Sequence, residues 1–428
     1  MVWRRHRLPI LWRPRTGDHA ITFDPHRVRT RFPALSRQID GRTAVYLDGP
    51  GGTQVPEDVI AAMSGVLRRG VGNVGGHFEA SRDAVAVVAA ARGAMADLLN
   101  AATPDEIVFG QNMTSLTFAI SRSIARTWNP GDEIVVTRLD HDANVWPWVV
   151  AARARGVEVK YADFDPAVGC TLSVAAVAGH LSDRTRLVAV THASNALGTI
   201  VDVGAISDAA HAVGALCYVD AVHYTPHGSV DVQACGCDFL VASAYKFFGP
   251  HTGVMYGRHD LLSELEAAKV RPSPDKPPGK WETGTQSFES LAGVTAAVDY
   301  LAGLGEGQDR RAALRSAMGV IKDYEQSLSD RFLSGLAEIS GVSLYGLASS
   351  EGRVPTFGLD IAGISPSDAA RRLAREGIFA WSGDHYAVEV MRRLGVEKGG
   401  LLRVGFAHYS LPEEVDLVLE AISRLAGR

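Results

Sequence analysis

Lys246 stands in the stretch ASAYKFFGP (242–250), among alanines and aromatic residues and just after the apolar run DFLV. Burying an ammonium there costs several kcal/mol unless something compensates. An amine stripped of water loses its proton more readily and becomes a nucleophile toward aldehydes. Upstream, Asp220 closes the run ALCYVD, where a carboxylate is equally in need of a partner. The two could form a structural ion pair or a reactive pair of opposite polarity.

Other chemically able residues follow apolar runs in the same way. After IVFG comes QNMTSLTFAI, with Asn112, Met113, Thr114 and Ser115 at the expected start of a helix. Hydroxyls and free N–H groups at such a start suit a phosphate, and the same residues suit simple capping. His141 lies just past a strand in TRLDHDANVW, and Asn195 and Gly198 follow another in THASNALGT. A lysine amine, a carboxylate and a phosphate cradle in one block are what pyridoxal phosphate needs. The lysine forms a Schiff base and the carboxylate keeps the pyridine nitrogen protonated.

These residues are spaced by alternating elements. The β-branched runs EIVFG, DEIVVT, VEVKYADF, RLVAVTHA, ALCYVDAV, DFLVASAY and GVMYG alternate with Ala- and Arg-rich helical stretches from about 105 to 260. That predicts βαβ units and a mostly parallel sheet covered on both faces, with ligands at the carboxyl ends of the strands. The proline-rich RPSPDKPPGK (271–280) reads as a connector. Apolar residues from Leu314 to Ile339 recur at three- and four-residue steps, which predicts a long amphipathic helix. The strands VSLYG and TFGLDIAG, the helix around SDAARRLARE, the strand LLRVGFAHY and a closing helix follow. Ser410 and Glu413 have capping-box spacing at the start of that last helix.

The 428 residues carry a formal net charge of −5, which argues against a nucleic-acid binder. No apolar run reaches membrane-spanning length. The four cysteines, Cys170, Cys217, Cys235 and Cys237, fit neither a disulfide framework nor a paired zinc motif, so a reducing, cytoplasmic setting is expected. Cys235 and Cys237 read as small buried thiols, and no metal is expected. The arginine-rich start, MVWRRHRLPILWRPR, reads as a disordered tail or as residues upstream of the true start.

The order and spacing of these motifs, from RFPALSRQIDGRTAVYLDGPGGTQVP (31–56) to the C-terminus, resemble the class V aminotransferase family of pyridoxal-phosphate enzymes, nearest its cysteine-desulfurase branch. The resemblance implies the aspartate-aminotransferase (type I) α/β fold, with a mostly parallel sheet in a large domain and a smaller α+β C-terminal domain. The expected divisions are a tail (1–20), an N-terminal segment packing on the small domain (21–44), a large cofactor domain (45–300) and a small domain (301–428).

Carried over position by position, the resemblance makes Lys246 the Schiff-base residue and catalytic base. Asp220 becomes the partner of the pyridine nitrogen, and His141 the residue stacked on the ring. Asn195 would meet the ring hydroxyl, with His223 nearby where desulfurases usually have glutamine. Thr114, Ser243 and the Met113 N–H would hold the phosphate. Thr285 would reach a phosphate in the partner subunit, implying a homodimer. Arg403 would clamp the substrate carboxylate, and His77 is a further candidate for substrate contact. Desulfurases carry a persulfide-forming cysteine on a loop matching AWSGDHYAVEVM (380–391); here Tyr386 holds that position, and no cysteine follows Cys237. The residue before the lysine is Tyr245, where the family commonly has histidine. The expected activity is C–S cleavage of an amino acid by β-elimination. Transamination, racemisation or epimerisation, desulfuration with an external thiol, and an inactive scaffold are the alternatives.

Overall fold

A computed structural model describes residues 23–427; the arginine-rich start lies outside them. Seven strands form the central sheet: β1 (Ile107–Gly110), β2 (Glu133–Thr137), β3 (Glu158–Ala162), β4 (Thr185–Thr191), β5 (Leu216–Asp220), β6 (Phe239–Ser243) and β7 (Gly253–Gly257). Their spatial order is β1-β7-β6-β5-β4-β2-β3. β7 runs antiparallel to both its neighbours, and the other pairings are parallel. Each run read from the sequence is one of these strands.

The near-continuous hydrophobicity of the strands has a direct cause. In β2, Val135 faces one core while Ile134 and Val136 face the other. β4 alternates likewise, with Val188 and Val190 against Leu187 and Ala189. Both faces must therefore be apolar. Helices Glu57–Arg69, Glu79–Leu99 and Phe288–Ala302 pack together in the first core; Met113–Ile124 and Trp146–Arg155 cover the second.

The helix Arg310–Ala337 joins two cores. Leu314, Met318 and Ile321 pack into the large one, and Leu328, Phe332 and Leu336 into a separate small one. That small core lies against a four-stranded antiparallel sheet: β8 (Val342–Tyr345), β9 (Thr356–Ile361), β10 (Trp381–Gly383) and β11 (Leu401–Gly405), in the order β8-β9-β11-β10. The short strand Val45–Tyr46 pairs with Ile378–Phe379, so Val45 and Leu47 also sit in the small core.

The last helix, Pro412–Ala426, starts one residue later than the Ser410–Glu413 reading placed it. Pro412 takes the first helical position, which needs no N–H donor. Leu411 is therefore the cap, and its N–H donates to Glu414 Oε2 at 2.9 Å. Among the described residues, no helix is long and apolar enough to cross a membrane.

Candidate active site

Asp220 ends β5, and Lys246 closes the 3-10 turn Ala244–Lys246 that leaves the adjacent parallel strand β6. Both therefore stand at the carboxyl end of the sheet. The Lys246 amine donates to the carbonyl of Pro50. Burial, reinforced by the Arg403 guanidinium, pulls its pKa down to about 7, against the opposing pull of Asp220 and Asp48. Asp220 is 4% exposed. Burial lifts its carboxyl to about 6, although the Val222 N–H (2.9 Å) and Lys246 favour its charge.

The Lys246 amine is thus half neutral near pH 7, where an ordinary lysine is almost wholly charged. Since the neutral amine is the nucleophile, its reaction should rise as pH rises through about 7. We expect cofactor-free protein, titrated with a small aldehyde and mapped by mass after borohydride reduction, to label Lys246 half-maximally near pH 7. Half-maximal labelling near pH 10 would contradict this placement.

The loop Asp48–Thr53 forms the floor. Thr53 N–H donates to the Tyr245 carbonyl at 3.0 Å, and Thr53 Oγ1 accepts from the Phe248 N–H at 2.8 Å. A Cβ on Gly52 would come within 3.2 Å of the Tyr245 ring, and one on Gly51 within 2.8 Å of the Trp381 indole nitrogen. A side chain at either position would press on one of these rings and make it shift. The Tyr245 ring stacks on His251 at 4.8 Å, and the Lys246 amine lies 5.1 Å from its centroid.

Arg403, on β11, is buried and donates from Nη1 to the Asn195 carbonyl at 2.9 Å. Burial lowers its pKa to about 10, so it stays charged at neutral pH, with Asp48 as its electrostatic counterweight. Burial in turn raises Asp48 to about 6. Arg403 Nε and the side-chain oxygens Asn195 Oδ1 and Asp48 Oδ1 are buried without hydrogen-bond partners.

His141 follows β2. Its Nδ1 accepts from the Ala143 N–H at 3.0 Å, which places its proton on Nε2. Burial, then Lys246 and Arg403, hold its pKa near 4, so the ring is neutral. The Tyr386 ring lies over it, 5.5 Å away and tilted by 20°. His385 and Tyr386 are consecutive residues in the left-handed region (φ 54° and 55°), a conformation costly for both. Four bonds hold them there. Asn195 Nδ2 donates to the His385 carbonyl (2.8 Å), and the Asp142 N–H to the Tyr386 carbonyl (2.7 Å). The Tyr386 N–H donates to Asp384 Oδ1 (2.9 Å), and His385 Nε2 bonds the Leu401 carbonyl (3.0 Å).

At the other side, the helix Met113–Ile124 points its N-terminus into the site. The Met113 N–H donates to Ser243 Oγ at 3.2 Å, and Thr114 is the next residue. Gly253 lets this helix lie against β7, because a Cβ there would sit 2.4 Å from the Asn112 carbonyl carbon. Thr285 is exposed and lines a nearby cleft with Gln111, Ser115, His251 and Thr252. His223 is buried, neutral through burial, and bonds Thr356 Oγ1 of the small domain at 2.9 Å. His77 is exposed on a loop; its bond, through its carbonyl, is to Arg82. The structure does not join it to the Lys246 group.

Two carboxyls escaped the sequence reading. Asp140 is fully buried beside Asp220, with bonds from Thr137 Oγ1 and Asn144 Nδ2 (2.6 Å). Burial, helped by the Asp220 charge, lifts it to about 8, so it is neutral at pH 7. Asp48 is the other. Only the proximity of Asp140 to His141 in LDHDAN, and of Asp48 to the glycines of LDGPGG, hinted at either. The residues fit pyridoxal phosphate: a depressed lysine amine, a buried carboxylate on the next strand, an orphaned Asn195 oxygen and a helix N-terminus beside a serine.

The class V aminotransferase model matches residues 45–418. The chain is 32% identical over 420 residues to the cysteine desulfurase of Pectobacterium carotovorum, covering 95% of this chain and 98% of that protein. It is 33% identical over 428 residues to a probable cysteine desulfurase of Mycolicibacterium paratuberculosis, covering 96% of this chain but only 60% of that longer protein. The apo cysteine desulfurase of Thermococcus onnurineus superposes with a TM-score of 0.85 at 27% identity, covering 96% of this chain and all of that one.

Proposed function

The chain belongs to the class V aminotransferase family of pyridoxal-phosphate-dependent enzymes, and on that premise we propose that it cleaves the C–S bond of a cysteine-like amino acid by β-elimination. The observation that carries the reading is the company Lys246 keeps: a near-neutral amine, a buried carboxylate on the next strand, and no thiol. Cys217 lies in the first half of β5, three residues or about 10 Å before Asp220. Cys237 just precedes β6, at the end of the sheet away from Lys246. Cys170 is buried in the loop after β3.

Pyridoxal phosphate, when bound, supplies an aldehyde for the substrate amine and a sink for electrons released at the α-carbon. Lys246 and Asp220 would hold its aldehyde and pyridine ends, His141 its face, Asn195 and His223 its hydroxyl side, and Met113, Thr114 and Ser243 its phosphate. The protein's own groups do the rest. Arg403 orients the substrate carboxylate with paired N–H groups. The Lys246 Nζ, neutral at working pH, takes the α-proton. Tyr386, stacked over His141 and largely exposed, stands at the solvent mouth of the substrate side. Thr285, exposed at the cleft rim, fits a role across a homodimer interface at the partner's phosphate.

Elimination from cysteine consumes water and yields pyruvate, sulfide and ammonium, with no sulfur acceptor. We therefore expect pyruvate and sulfide in equal amounts from protein mixed with cysteine alone. Alanine as the product, appearing only when an external thiol is added, would replace elimination by desulfuration. A keto acid that needs a second keto acid, or loss of optical activity without products, would indicate transamination or racemisation.

A further inference from the structure

At the amino end of the central sheet, away from Lys246, three cysteines gather. Cys235 ends the short helix Val232–Cys235, Gly236 turns the chain in the left-handed region (φ 64°), and Cys237 leads into β6. The turn brings Cys235 Sγ and Cys237 Sγ to 3.3 Å, inside ordinary sulfur contact. The two are unequal. Cys237 is 1% exposed, while Cys235 is partly open to solvent. Their surroundings are tightly built: Asp238 is bonded by the Cys217 N–H (2.7 Å), His211 Nε2 (2.9 Å) and Arg258 Nη1 (2.9 Å).

We propose that Cys235 and Cys237 form a reversible dithiol–disulfide site that reacts with low-molecular-weight disulfides. Cys235 is the attacking thiol. It is the accessible one, and the adjacent Cys237 S–H stabilises its thiolate and holds its pKa below the ordinary thiol value. The Cys235 thiolate attacks one sulfur of the small disulfide and expels one small thiol, leaving a mixed disulfide. Cys237 loses its proton to solvent, attacks Cys235 Sγ and expels the second small thiol. In sum, two protein thiols give up two protons and two electrons, and the small disulfide is reduced to two thiols. Gly236 permits the reaction, since closing a ring across one residue needs its backbone freedom. Cys217, inside β5, and Cys170, in the loop after β3, are buried and have no such access.

The test uses the whole protein with oxidised glutathione as probe, followed by alkylation, digestion and mass mapping. The expected result is loss of two of the four titratable thiols, a 2 Da fall in mass, and a linked Cys235–Cys237 peptide restored by dithiothreitol. Cys237→Ser should stop at a glutathione adduct on Cys235, and Cys235→Ser should not react. The wild-type map does not depend on either variant folding. A stable glutathione adduct on Cys235 in the wild type, a Cys217–Cys237 link, or four thiols surviving oxidation would each overturn the proposal.

Discussion

Replacement of Lys246 by alanine should abolish covalent attachment of the cofactor and lower turnover by at least about 10³-fold, the size expected when one residue supplies both a covalent anchor and a positioned base. The fold should survive. The amine sits where its charge is penalised, and its pKa near 7 records that penalty, so removing it relieves burial more than it removes stabilisation. What is lost is its bond to the Pro50 carbonyl and its favourable action on the carboxylates of Asp220 and Asp48. Both carboxyls should titrate higher in the variant. Borohydride reduction with mass analysis reads the first effect and steady-state kinetics the second. Partial recovery by a small added primary amine would tie the loss to the missing base. Cofactor still bonded covalently to the variant would place the reactive amine elsewhere.

The parts of this site legible in the sequence are those fixed by local pattern. Six of the seven runs announce their strands because strands buried on both faces have no polar alternation to hide them, and only the edge strand β3 is partly open to solvent. The end of each of the six parallel runs then lies at the carboxyl edge, which locates Lys246, Asp220 and His141 with no knowledge of strand order; only the antiparallel β7 ends at the other edge. What stays illegible depends on contacts far apart in the chain. Asp140 reads as an ordinary loop acid until Asp220, eighty residues on, proves to be its neighbour and burial neutralises it. Asp48 matters only because the N-terminal loop crosses beneath both Lys246 and Arg403. His385 and Tyr386 give no glycine or asparagine signal for their left-handed backbone. They are held by Asn195 and Asp142, from the other domain. Cys235 reads as a small core residue because its Gly-Cys sequel reveals neither its exposure nor the meeting of the two sulfurs.

Arg403→Lys should cut kcat/KM for α-amino acids by about 10²-fold, roughly 3 kcal/mol of binding, with most of the change in KM. The reason is geometric. Arg403 spends one N–H on the Asn195 carbonyl and keeps an unpartnered buried Nε. A planar fork can hold that carbonyl and a carboxylate together, whereas a lysine ammonium cannot reproduce two parallel bonds. The lysine would still supply a positive charge beside Asp48, so the variant should fold with nearly wild-type thermal stability. Arg403→Ala differs in a way that separates binding from structure. It leaves Asp48 buried without its counterweight, the carboxyl should shift well above its value near 6, and the cost should appear as a lower melting temperature as well as lost affinity. Because a raised carboxyl pKa favours the fold only while the group is protonated, that loss should grow as pH rises through the shifted value and shrink in mild acid. An amide analogue of the substrate decides the matter. Wild type should strongly prefer the acid over the amide, and Arg403→Lys should lose most of that preference. A preference retained in the variant would mean the carboxylate is held by some other group.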